Sequence, residues 1–100
     1  MDNVELAYLA GIIDGEGHIY VVNAKNGRGK AYKENRICFV QMDFNNGLEL
    51  CTWVKERIGG NISYTNGCYR WQLTGKKAVD IARQLQPLLI VKKEQIKRIL

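Results

Sequence analysis

Proline and histidine each occur once in these 100 residues, and the three cysteines, Cys38, Cys51 and Cys68, form no CxxC pair. An odd number of thiols beside a single His argues against a disulfide framework or a zinc site and points to reduced thiols inside a cell. Long apolar runs are also missing. The best candidate, Val4 to Ile13, falls far short of the roughly 20 residues that a spanning helix needs. No basic stretch precedes that run, so a secretory leader is not expected. Glycines are isolated and the aliphatic and aromatic content is ordinary, which argues against disorder. The expectation is a soluble intracellular protein, its compartment (cytoplasm, nucleoid or organelle) left open, folded as a single domain over residues 1–100. A chain of this size buries only ~65% of its unfolded surface, so a partner subunit would help.

Acidic residues are in the minority, with fifteen Lys and Arg against ten Asp and Glu. Lys25, Arg28, Lys30, Lys33 and Arg36 crowd one polar stretch, and Lys92, Lys93, Lys97 and Arg98 crowd the C-terminal one. Such clusters suit a polyanionic partner, although a basic surface that only solubilises the protein accounts for them as readily. A membrane is not the expected partner, because the 25–36 stretch contains two glycines and no apolar stripe.

Hydrophobic spacing predicts the elements in order. Asp2 or Asn3 caps a helix running through VELAYLAGII, and GHIYVVNA follows with strand character. NGRGKAYK reads as a polar connector to a second strand, ENRICFVQM. A second helix, NNGLELCTWVKERI, carries Leu48, Cys51, Val54 and Ile58 on one face and stops at Gly59-Gly60. Asn66-Gly67 marks a tight hairpin between NISYT and CYRWQLT. KKAVDIARQLQ is a third amphipathic helix with Ala78, Ile81, Ala82 and Leu85 in register. Pro87 breaks it before a turning segment and a last helix. This αββαββα order predicts an α+β fold in which a four-stranded antiparallel sheet carries helices on one face and leaves the other open to a ligand. Trp53 and Trp71 are expected in the core.

The first helix is apolar nearly all round, so it needs cover on more than one side. Leu6, Leu9 and Ile13 suit its own sheet. Ala7 and Gly11, four apart, form a small-residue stripe where a second copy of the helix can approach, which predicts a homodimer. That helix ends in Asp14-Gly15-Glu16-Gly17, although helix C-termini repel carboxylates. If two such helices pair in parallel, both Glu16 carboxylates emerge close together, and a bound cation offsets the repulsion. Oxygen ligands suit Mg2+ (or another divalent ion such as Mn2+), which takes one or two carboxylates and keeps waters for a phosphate partner. Two such ions beside a phosphodiester can activate water and stabilise the leaving oxygen. Gly15 and Gly17 are expected to let the chain turn sharply and to leave the Gly15 carbonyl facing the metal.

LAGIIDGEG resembles the motif of the LAGLIDADG homing endonucleases: Leu9, Ala10, Gly11, Ile13, Asp14 and Gly17 are identical, Ile12 is conservative, and Gly15 and Glu16 are common variants. WVKERIGGNIS, YRWQLTGKKA and LQPLLIVKKEQ are similar to later parts of the same family, so the resemblance covers nearly the whole chain. It implies an αββαββα fold and a single-motif homodimer that cuts double-stranded DNA with the help of metal, in the setting of intron homing. It further implies that Glu16 is the metal-binding catalytic acid, that Asp14 caps the helix end and supports the dimer, and that Lys92 is the basic residue of the catalytic pocket. A polar residue assists the water network where the second strand meets the next helix. Asn45 is the favoured match, with Gln41 and Asp43 as rivals. An alternative from the same family is a regulator or RNA maturase that binds DNA or RNA without cutting.

In that fold the open sheet face straddles the major groove. Alternation with Ile19 and Val21 inward turns His18, Tyr20 and Val22 toward DNA. With Ile62, Trp71 and Leu73 in the core, Asn61, Ser63, Thr65, Arg70 and Gln72 turn outward. Arg and Gln suit guanine and adenine edges. Arg28, Lys30 and Lys33 are expected in a loop that grips phosphates, with Arg36 reaching either phosphate or base.

Overall fold

The computed structural model describes residues 1–100 and has the predicted order of helices and strands. Helix α1 (Asn3–Glu16) starts at Asp2, whose carboxylate accepts the Glu5 N–H at 2.8 Å while Glu5 accepts the Asp2 N–H at 3.1 Å. This reciprocal capping satisfies two N–H groups that the helix itself leaves unpaired. Strand β1 (Gly17–Lys25) follows with no connector. The reason is steric. A Cβ on residue 17 would lie 2.7 Å from the Ile13 Cα and 2.8 Å from its carbonyl oxygen. The φ of Gly17, −87°, is open to any residue, so this glycine is needed for close approach and not for a special conformation.

Strand β2 (Ala31–Met42) pairs antiparallel with β1 from Gly17 opposite Phe39 to Lys25 opposite Ala31. The hairpin is longer than expected. Tyr32 and Lys33 belong to the strand, and only residues 26–30 form the turn, where the Asn26 side chain accepts the N–H groups of Arg28 and Lys30. The outer part of β2 is exposed on both faces, so it lacks the apolar alternation that announces a strand. Helix α2 (Gly47–Ile58), strands β3 (Asn61–Thr65) and β4 (Cys68–Thr74), and helix α3 (Gly75–Leu85) complete the fold. Asn66 and Gly67 both take positive φ, as a two-residue hairpin turn requires.

The sheet order is β1-β2-β4-β3, all antiparallel. Ile19, Ile37, Phe39, Trp71 and Leu73 form its covered face. Against them pack Leu6, Leu9, Ala10 and Ile13 of α1, Cys51 and Val54 of α2, and Ala78, Ile81, Ala82 and Leu85 of α3. Trp71 stacks on Phe39 with ring centres 5.4 Å apart and donates its indole N–H to the Gly59 carbonyl at 2.8 Å, so its one polar atom is satisfied inside the core.

Several expectations are corrected. Leu48 is 49% exposed, because the buried face of α2 runs through Gly47, Cys51 and Val54. Trp53 is half-buried at the surface, edge-on to Tyr8 at 5.1 Å and beneath the Arg57 guanidinium at 4.0 Å. Val21 is 38% exposed. After α3, Gln86–Leu88 forms a single 3-10 turn, and the expected last helix is a 3-10 stretch, Gln95–Ile99, that puts Ile96 and Ile99 into the core. No helix is long and apolar enough to cross a membrane.

Candidate active site and open sheet face

The last turn of α1 brings together residues that are far apart in sequence. Asp14 Oδ2 accepts the Ile90 N–H at 2.8 Å, and Oδ1 accepts those of Val91 and Lys92 at 3.1 and 3.0 Å. Lys92 Nζ in turn donates to the Asp14 carbonyl at 2.7 Å. Partial burial pushes the Asp14 carboxyl pKa up, but the N–H groups of Ile90, Lys92 and Val91 and the Lys92 ammonium outweigh it. The acid is held below the ordinary carboxylate range. For Asp14 the repulsion expected at this helix end is therefore offset by backbone donors and the Lys92 ammonium. The Lys92 ammonium also satisfies one of the carbonyls that a helix C-terminus leaves free, where positive charge is favoured.

Glu16 is different. It is exposed and has neither a hydrogen bond nor an ion pair. Gly15 beside it is exposed, and a Cβ there would meet nothing, so the chain's own packing and φ do not require glycine at this position. The expected conformational role for Gly15 is absent. Ala7 and Gly11 are exposed on the flank of the same helix, and a Cβ on residue 11 also meets nothing. No group of three or more His, Cys, Asp or Glu side chains is gathered anywhere in the chain. One chain thus offers a single unengaged carboxylate at the tip of α1, with Lys92 tethered to the same turn.

Asn45 does not join them. It lies in a 3-10 turn, Asp43–Asn45, and lines a groove with Val4, Glu5 and Tyr8 of α1 and with Leu50 and Trp53 of α2. It makes no side-chain hydrogen bond with Glu16 or Lys92. Gln41 lines the same groove, and Asp43 donates its N–H to the Gly67 carbonyl at 2.8 Å.

The open sheet face carries the residues that alternation assigned to it. His18 and Tyr20 on β1, Arg36 on β2, Arg70 and Gln72 on β4, and Asn61, Ser63 and Thr65 on β3 share it by register. Arg28 and Lys30 sit in the exposed β1–β2 turn. Lys33 is the exception. Its register puts it opposite Asn23, on the face away from Arg36, and it lines a groove with Lys76, Val79 and Arg83 of α3.

Glu34 and Cys38 are among the residues of the open face that the sequence did not point to. Glu34 accepts from Arg36 Nε at 2.7 Å and from the Tyr32 hydroxyl at 3.4 Å. The Glu34 carboxylate and the Tyr20 hydroxyl raise the Arg36 pKa still further. Cys38 lies against Arg70. Stepping by two from Arg36 along β2 would have found both.

No family model matches the chain, and no curated protein matches it in sequence. Solved structures do. The homing endonuclease I-CvuI, crystallised with its target in the presence of Ca, superposes with a TM-score of 0.81 over 94% of this chain at 20% identity. The archaeal intron-encoded homing endonuclease I-Vdi141I, complexed with DNA, gives 0.75 over 99% at 20% identity. The I-SmaMI LAGLIDADG homing endonuclease bound to cleaved DNA gives 0.72 over 92% at 15% identity. The chain spans 62% of the length of I-CvuI, 66% of I-Vdi141I and 33% of I-SmaMI. The four-stranded sheet and its covering helices are those of the LAGLIDADG homing endonuclease fold.

Proposed function

We propose that this chain is a sequence-specific double-strand DNA endonuclease that works as a homodimer and hydrolyses phosphodiesters with a divalent cation. The observation that carries this reading is the end of α1, where an unengaged Glu16 carboxylate stands in the same turn as a Lys92 anchored to the Asp14 carbonyl at 2.7 Å. The donor set fits a hard cation. Mg2+ needs only one or two carboxylates, with water and phosphate oxygens for the rest, and two chains would offer two Glu16 side chains. The Gly15 carbonyl is a further oxygen in the same turn. Such an ion, when bound, would lower the pKa of a water and stabilise charge on the leaving oxygen.

The remaining work falls to the chain's own residues. Asp14 fixes the backbone of residues 90–92, and that in turn fixes the direction from which the Lys92 ammonium enters the site. Lys92 would stabilise the negative charge that builds on the phosphate oxygens as water attacks phosphorus. The open sheet face would hold the duplex, with Arg28 and Lys30 on phosphates and Arg36, Arg70 and Gln72 at base edges. I-CvuI, I-Vdi141I and I-SmaMI were each crystallised with DNA, which supports a duplex as the partner.

The test is a cleavage selection on a randomised duplex library with Mg2+. The wild-type protein should cut a defined site. Glu16→Gln should bind that site and not cut it, and Lys92→Met should cut about 100-fold more slowly with binding kept. Equal cutting by Glu16→Gln and wild type would overturn the catalytic assignment. Specific binding with cutting by neither would favour a non-cleaving DNA-binding protein.

A further inference from the structure

Cys38 is 0% exposed, yet it lies on the sheet face away from the core. Its neighbours Ile37 and Phe39 face the helices and belong to the core cluster, from which Cys38 is absent. By register it sits between His18 of β1 and Gln72 of β4. The Arg70 guanidinium lies against it: Nη2 donates to Cys38 Sγ at 3.2 Å and to the Tyr20 hydroxyl at 3.2 Å, and that hydroxyl is 3.4 Å from Gln72 Oε1. Arg70 thus reaches from β4 across β2 to β1, over the middle of the open face.

The Nε of Arg70 is sealed from solvent without a partner. The guanidinium is a rigid planar fork, so tying down Nη2 from two sides fixes the plane in which its remaining N–H groups point. With both Nη2 hydrogens spent and Nε sealed, the Nη1 N–H groups are the ones left to face the groove, where a guanine offers O6 or N7 as an acceptor.

We propose that Cys38 is a positioning residue for base recognition: by accepting from Arg70 Nη2 it orients the guanidinium so that its free Nη1 meets an acceptor of a guanine in the DNA. This rests on the reading of the open face as the DNA-binding surface. Cys38 need not touch the duplex itself.

The experiment compares the wild type with Cys38→Val, Cys38→Ser, Arg70→Ala and the double variant Cys38→Val/Arg70→Ala. Each is assayed for binding to the site selected by the wild type and to every single-base change of it. Thermal melting shows that each variant folds, and Cys38→Ala replaces Cys38→Val if the valine does not. The expected result is a guanine preference at one position per half-site that falls about tenfold in Arg70→Ala and in Cys38→Val. Cys38→Ser, which keeps an acceptor, retains it, and the double variant is no worse than Arg70→Ala alone. A second readout needs no DNA. The 15N relaxation of the Arg70 Nε–H should report a rigid side chain in wild type and Cys38→Ser and a mobile one in Cys38→Val. Unchanged preference and unchanged rigidity in Cys38→Val overturn the proposal and leave the endonuclease reading standing. Equal loss in Cys38→Ser and Cys38→Val reduces Cys38 to a space-filling role and also overturns it. A wild type that selects no duplex overturns both.

Discussion

Asp14 is held by three backbone N–H groups from residues 90–92, and its ionised form is the one they stabilise. Asp14→Asn keeps the size of the side chain but replaces one carboxylate oxygen by a donor that faces N–H groups. The expected loss is about 1–2 kcal/mol, at the lower end for charge-assisted hydrogen bonds because solvent reaches the site. The pH dependence has a definite sign. The folded-state pKa of Asp14 is depressed, so its contribution is complete above the ordinary Asp value of about 3.9 and disappears as pH falls through the folded pKa. Urea denaturation should give a constant gap between wild type and Asp14→Asn above about pH 5 and a shrinking one below it. Glu16, one residue past Gly15, has no such partners, so Glu16→Gln should leave stability unchanged while abolishing cleavage. The two acids of one motif are thus separable by measurement, one through folding and the other through chemistry.

The junction of α1 and β1 tolerates no side chain at residue 17, because the atoms a Cβ would strike belong to the backbone of Ile13 and cannot swing away. Gly17→Ala should therefore cost about 1–3 kcal/mol, as overpacking does. Gly15→Ala, two residues earlier and in open space, should cost nothing in folding; a melting comparison of the two variants checks this. The need for glycine was legible in the motif, but its reason was not, since the closeness of helix and strand appears only once both are packed. The same limit explains the other differences. Turn chemistry at Asn66-Gly67 and the helix stripe Ala78-Ile81-Ala82-Leu85 depend on neighbours a few residues away, and the sequence reading found both. Lys33 was misplaced because a strand exposed on both faces has no apolar period to reveal its start. Asn45 lies in the turn beyond the last paired residue of β2, where no apolar period marks its position, and the clasp of Asp14 on residues 90–92 spans 76 positions or more.

As a whole molecule the chain presents an open sheet face carrying Arg36 and Arg70 on one side and, on the flank of α1, a stripe of exposed small residues that nothing in the chain covers. These residues hold one Glu16, and two-sided cutting of a duplex needs two acids; the proposed homodimer places a second copy along that stripe. Gly11→Leu separates this requirement from folding. The new side chain meets nothing within its own chain, and replacing a mid-helix glycine favours the helix by up to ~1 kcal/mol. Melting of the dilute protein should therefore be unchanged or higher. A leucine on each of two facing helices, however, holds their backbones apart and spreads the two Glu16 carboxylates. Sedimentation should then show a monomer at concentrations where the wild type is a dimer, and cleavage of the selected site should be lost while each chain still binds a half-site weakly. A Gly11→Leu protein that sediments as the same dimer and cuts at the same rate would mean that the chains meet elsewhere. Glu16 would then need another source for its second carboxylate.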